Sequence, residues 1–145
     1  MGPAVPAPPA EPVGSDVSAA WTLAGFDELQ VTVDGVPVTV ALADTPALRR
    51  KGLQQVVDLG RARGMLFSWG GGTVNSRFTM RDTLIELDIA FFDVDGRLVD
   101  LVRMTPCAGE PCPTYRASAP YAFALEVPVG GSLSIDESTV LAGLP

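Results

Sequence analysis

The chain has 145 residues, a formal charge of −7 and an isoelectric point near 4.4. That length suits one domain, which buries roughly two thirds of its unfolded surface around a single core. The ten basic residues, nine Arg and one Lys, are scattered, so no basic footprint exists for nucleic acid or anionic lipid. Histidine is absent, which removes the commonest general base, the commonest metal ligand and every Ser-His or Cys-His nucleophile pair.

Residues 1–20, "MGPAVPAPPAEPVGSDVSAA", hold five of the thirteen prolines and no aromatic side chain. Such composition favours extended, solvated backbone and reads as a linker or tether ahead of a single domain over 21–145. The stretch has neither the cationic start nor the continuous apolar segment of a secretory signal, as if a targeting segment had been removed or were never there. A tether of this kind fits an exported or surface-anchored protein; a cytosolic linker has the same composition.

From Trp21 the punctuation is regular. "ELQVTVDGVPVTVAL" is two alternating runs around Asp34-Gly35, a hairpin signal because a two-residue turn needs positive φ at both positions. Pro37 lacks an N–H and places the start of the second strand at an edge or a bulge. In "DTPALRRKG", Asp44 or Thr45 is the N-cap, Pro46 opens a helix of about two turns, three basic residues fill its last turn and Gly52 stops it. Strands are expected at "GMLFSW" (64–69), "NSRFTM" (75–80), "LIELDIAFF" (84–92), "RLVDLVRM" (97–104), "YAFALEV" (121–127) and near "SLSI" (132–135). Roughly six to eight short strands with one short helix give a mostly β, α+β class: an antiparallel-rich sheet curled into a small barrel or sandwich. The longest apolar run, "LIELDIAFFDV", is interrupted by carboxylates and too short for a membrane span, so no transmembrane segment is expected.

Candidate chemistry is sparse. Glu86 and Asp88, two apart on a strand, share one face with side chains roughly 6 to 7 Å apart, a separation that suits an acid and a base, or simply a solvated face. Arg77 and Arg81 on the preceding strand come beside those carboxylates if the two strands pair through Asp82-Thr83. The bland result is a cross-strand salt lattice. The functional one is a polar pocket in which Arg77, Arg81, Asp82 and Glu86 grip a small anionic or hydroxylated ligand against Trp69 or Tyr115. "DVDG" at 93–96 is no calcium loop, because its glycine comes fourth and Met104 stands at the twelfth position. Gly70-Gly71-Gly72 has no Lys-Ser or Lys-Thr after it and is no phosphate cradle.

Cys107 and Cys112 lie in "MTPCAGEPCPTY". Two thiolates without imidazole cannot complete a zinc site within one chain. A redox motif normally has two intervening residues at a helix mouth, whereas here there are four, in a proline-rich loop. A disulfide is the best remaining state and points to an oxidising compartment; reduced buried thiols fit a cytosolic protein.

"VALADTPALRRKGLQ", "GMLFSW", "FTMRDTLIELDIAFFDVDGRLV", "MTPCAGEPCPTY" and "YAFALEVPVG", in this order, resemble the DUF192 family of uncharacterised bacterial and archaeal domains over roughly residues 36–131. The family pattern Phe-Trp-Met-Lys-Asn-Thr, then Pro-Leu-Asp-Ile, is here Phe78-Thr79-Met80-Arg81-Asp82-Thr83, then Glu86-Leu87-Asp88-Ile89. A site at that stretch therefore differs in shape from its relatives and carries extra negative charge. The resemblance implies a compact, mostly β domain, often exported behind a signal or lipoprotein tether, with no established catalytic activity. The resulting expectation is a non-catalytic extracytoplasmic binding or accessory domain without metal or cofactor, its partner a small molecule or an envelope protein. Its contact surface is Trp69, Arg77, Arg81, Asp82, Glu86, Asp88 and Tyr115. The alternatives are a small hydrolase using Glu86 and Asp88, and thiol redox exchange through Cys107 and Cys112.

Overall fold

Asp34 and Gly35 both take positive φ, 51° and 81°, and close a hairpin between β1 (Asp27–Val33) and β2 (Val36–Ala43) in register from Val33↔Val36 to Asp27↔Leu42. The computed structural model describes residues 23–145, so the tether expected at 1–20 lies outside them. β2 runs parallel to β3 (Met65–Ser68), a pairing that no tight turn can connect. The chain therefore crosses over through α1 (Pro46–Lys51) and a loop that returns at Gly64. Thr45 caps α1, its side chain accepting from the Leu48 N–H at 3.2 Å, and Gly52 ends it with φ 47°.

Four further strands complete the main sheet or close beside it: β5 (Leu87–Phe92), β6 (Leu98–Met104), β8 (Phe123–Pro128) and β9 (Leu141–Ala142). Between them the short β4 (Phe78–Thr79) and β7 (Thr114–Tyr115) form a separate ribbon. The main sheet has the order β6-β5-β8-β3-β2-β1-β9, antiparallel except at β2/β3. Its ends approach each other: Val140 bridges to Arg97 at the start of β6, and the Leu141 N–H donates to Gly96 O at 2.9 Å. A side chain on Gly96 would run into the Leu141 carbonyl, so only glycine permits this approach. The mostly β expectation is met by a curled, seven-stranded half-barrel with one short helix packed outside it.

Alternation along the strands divides the apolar side chains between two faces. Val31, Val40, Leu66, Phe92, Leu125 and Leu141 fill the inside of the curl. Met65, Phe67, Ile89, Phe91 and Ala124 face outward, where the crossover loop covers them with Leu53, Val56 and Leu59.

Three strand expectations are corrected. The run 75–80 is strand only at Phe78–Thr79, and it pairs with β7 rather than β5. The next strand begins at Leu87, not at residue 84, and both of its edges are taken by β6 and β8, which leaves no edge for the Arg77 to Arg81 segment. The run at 132–135 forms no strand; Leu133 and Ile135 instead pack against the inner core, and the closing strand comes at Leu141.

Candidate functional site

The crossover that parallel pairing demands sets the last turn of α1 opposite the β4 ribbon, across the outer face of β3 and β8. Between them lies a cavity of about 510 Å3, within the range of small-molecule sites. Its apolar walls are Phe67 and Phe78, edge to face at 5.1 Å between ring centres, and Trp69, edge to face with Phe78 at 6.3 Å. These rings continue inward through Phe91 to Tyr121, whose hydroxyl donates to Ser76 O at 2.6 Å. Burial pushes the Tyr121 phenol upward, so it remains a neutral donor.

Five of the ten basic residues border the cavity: Arg49, Arg50 and Lys51 from α1, Arg77 and Arg81 from the ribbon side. Their placement follows from local sequence, since cations are favoured in a last helical turn and Gly52 cuts the helix just beyond them. Gly52 also lies close against Phe67, where a Cβ would meet the ring edge at 3.6 Å. Arg49 is held by donating to Ser68 O at 2.8 Å and lies 5.4 Å over the Trp69 ring. Arg81 pairs with Glu110 at 2.6 Å and forms a bridge to Cys107, which ties the cysteine loop to the cavity edge. Arg50 and Arg77 form no ion pair with the described residues.

Glu126 borders the same cavity from β8, 5% exposed and set between Met65 and Ile89 in register. Its side chain has no hydrogen bond or ion pair among the described residues. Burial alone pushes its carboxyl up to about 8, so the group is largely protonated at neutral pH and is both donor and acceptor. An unsatisfied buried polar group of this kind costs on the order of 1–3 kcal/mol. Gly64 is required behind it, because a Cβ there would meet Glu126 O at 2.5 Å.

Of the residues singled out from sequence, Trp69, Arg77 and Arg81 come together on this cavity, whereas Asp82, Glu86, Asp88 and Tyr115 do not border it. Asp82 turns the chain with φ 58°, and its carbonyl accepts from Gln55 N–H at 2.8 Å, clamping the ribbon to the crossover loop. The lattice expected between Arg77, Arg81, Glu86 and Asp88 is not formed. Asp88 instead takes a two-pronged contact from Arg103 on β6, Nε at 2.9 Å and Nη2 at 3.2 Å. Tyr115 pairs with Phe78 and its hydroxyl lies 3.5 Å from the Thr105 N–H.

Sequence reasoning missed Glu126 and the α1 cations. The signal was present: one carboxylate in the apolar run "YAFALEV", and a basic last turn opposite the predicted Arg77 segment. Cys107 and Cys112 lie at disulfide distance, with Cα atoms 5.7 Å apart. The Glu110 carboxylate lies 3.8 Å from the Cys112 sulfur. Among the described residues no cluster of three or more His, Cys, Asp or Glu is arranged to hold a metal, and no helix is long and apolar enough to cross a membrane.

Fold and site together define a small half-barrel domain with a covered, cation-rimmed cavity on its outer face. The family profile of DUF192, described as an uncharacterized ACR, matches residues 29–139, and the chain belongs to that family. The fold is similar to that of a protein of unknown function from Novosphingobium aromaticivorans, 27% identical over 82% of this chain and 87% of that one, with a TM-score of 0.66. It is also similar to a putative transcription regulator from Sinorhizobium meliloti, 24% identical over 80% of this chain and 93% of that one, TM-score 0.66, a likeness of fold alone. No curated protein matches the chain.

Proposed function

We propose that this chain is a non-catalytic binding domain working outside the cytoplasm, and that the cavity between α1 and the β4 ribbon is its ligand site. One observation carries the reading: on a chain of net charge −7, half of all cations converge on one aromatic-walled cavity. Local positive potential inside an acidic protein selects anions from a background that repels them elsewhere. Of the sequence-based surface, Arg77 and Trp69 contact the ligand, and Arg81 borders it while paired with Glu110. Asp82 contributes by shaping the cavity, and Tyr115 by backing Phe78.

The extracytoplasmic setting is supported by the cysteine pair, since a bridge across so short a loop persists in oxidising compartments. A binding role rather than hydrolysis is supported by Asp88, which is engaged with Arg103 away from the cavity.

Thermal unfolding with and without inorganic phosphate, simple carboxylates, neutral sugars and dipeptides tests the proposal. Anions raise the unfolding midpoint and sugars do not, and Arg77→Ala removes the anion effect while leaving the unliganded midpoint near its original value. Equal response to sugars and anions, or full anion response in Arg77→Ala, overturns it.

A further inference from the structure

The exposed and the buried parts of the cavity differ in chemistry, and the difference narrows the ligand. At the rim, Arg50 and Arg77 have no carboxylate partner among the described residues, whereas Arg81 is occupied by Glu110 and Arg49 is anchored by Ser68 and Trp69. Deeper in, Glu126, 95% buried, borders the cavity with its side-chain polar atoms unused by the described residues. Buried polar side chains are nearly always hydrogen-bonded, so one left open at a cavity marks where a ligand atom completes it. Between rim and floor stand the edges and faces of Phe67, Phe78 and Trp69, which suit a flat apolar body.

Resting on the reading of this cavity as a ligand site, we infer that it takes a small organic anion with a flat apolar body, its acidic group at Arg50 and Arg77 and a hydroxyl at its far end bonded to Glu126. An inorganic anion satisfies only the rim. A neutral aromatic alcohol satisfies only the walls and floor.

The test uses fluorescence of Trp69 in a chain carrying Trp21→Phe, which leaves one indole. Four probes are titrated: para-hydroxyphenylacetate, phenylacetate, para-hydroxyphenylethanol and inorganic phosphate. The hydroxylated anion binds about fivefold more tightly than phenylacetate, as one neutral hydrogen bond allows, and about tenfold or more beyond the alcohol, as one charged contact allows. Glu126→Leu removes the preference for the hydroxyl and leaves phenylacetate binding intact, while Glu126→Gln, which still offers donor and acceptor, retains part of the preference. Arg77→Ala weakens both aromatic anions about equally. Equal affinity for the two aromatic anions in the parent chain, or a preference that survives Glu126→Leu, overturns this inference. Phosphate binding as tightly as the aromatic anions also overturns it while sparing the anion-binding reading. Failure of every anion to bind removes both.

Discussion

One sheet presents two faces that have been built to different rules. Inside the curl, Val31, Val40, Leu66, Leu125 and Leu141 are within 1% of full burial, and the inner cluster is aliphatic apart from Phe92 and Phe123. Outside, the rings of Phe67, Trp69, Phe78, Phe91 and Tyr121 form a connected cluster, the cover consists of a six-residue helix, a long crossover loop and a ribbon of two-residue strands, and a carboxyl is buried beneath it. Branched aliphatics fill a closed interior at high density. Rings meeting edge to face at 5.1 to 6.3 Å instead leave space beside them. The lumen thus supplies stability, and the outer layer gives up some of it to keep a cavity.

The largest test of that division is a pair of truncations. Leu125→Ala in the lumen should cost about 3–5 kcal/mol, the transfer loss plus an unrelieved cavity, and lower global stability in denaturant unfolding. Phe78→Ala, half-buried in the ribbon, should cost about half as much. Hydrogen exchange should then speed up around 76–83 and 114–115 and not at Val40 or Leu125, because the cover opens locally. Equal losses with uniform exchange would mean that the two layers are one cooperative unit.

Glu126 sharpens the same contrast through pH. Its folded carboxyl titrates at about 8 and an unfolded one near 4.5, so between those values the unfolded chain loses its proton first. Stability should therefore fall as pH rises from about 4.5 to about 8 and level off above, a loss of a few kcal/mol at about 1.4 kcal/mol for each tenfold change in acidity. Asp136, held below the usual carboxylate range by Ser138, acts with the opposite sign and only below that window. Urea unfolding of the parent chain and Glu126→Gln at pH 5.5 and 8.5 checks this. The slope should vanish in the variant, which becomes the more stable protein at the higher pH. A parent chain indifferent to pH across that range would show that the carboxyl is not isolated.

The local elements were readable in the sequence and the pairing that arranges them was not, for a physical reason. Period-two alternation, Asp34-Gly35 and the Thr45-Pro46 to Gly52 helix signals are local, and each formed as expected. Pairing partners are not local. The segment from Arg77 to Asp88 carries two strand-like runs around a turn, which favours a hairpin, but both edges of β5 go to β6 and β8. The same non-local choice hid Glu126, whose position opposite α1 depends on β8 lying between β3 and β5. Closure by Leu141 was also unreadable, since a two-residue strand has almost no periodicity.

The cysteine loop is where the cover meets the rim. Closing so short a loop contributes about 2 kcal/mol by the chain-entropy estimate, and the loop presents Glu110 to Arg81. Cys107→Ser with Cys112→Ser should lower stability by about that amount or less. It should also free Arg81 from its partner and so raise anion affinity at the cavity, read by the same fluorescence titration. Unchanged affinity would mean that Arg81 stays fixed by the bridge between its backbone and residue 107 alone.

The smallest effect is expected at Asp88, and its smallness is informative. The Arg103 guanidinium that grips it is exposed, so solvent and salt screen the attraction and the ordering of a long side chain offsets much of the rest. Asp88→Asn should leave both the unfolding midpoint and probe binding within error, any small loss of stability disappearing as salt is added. A hydrolase built on Glu86 and Asp88 requires the opposite: loss of turnover on its substrate with stability untouched. Finding such a turnover, abolished by Asp88→Asn and indifferent to Arg77→Ala, would move the working site from the outer cavity to the end of β5 and reverse the division of labour between the two faces.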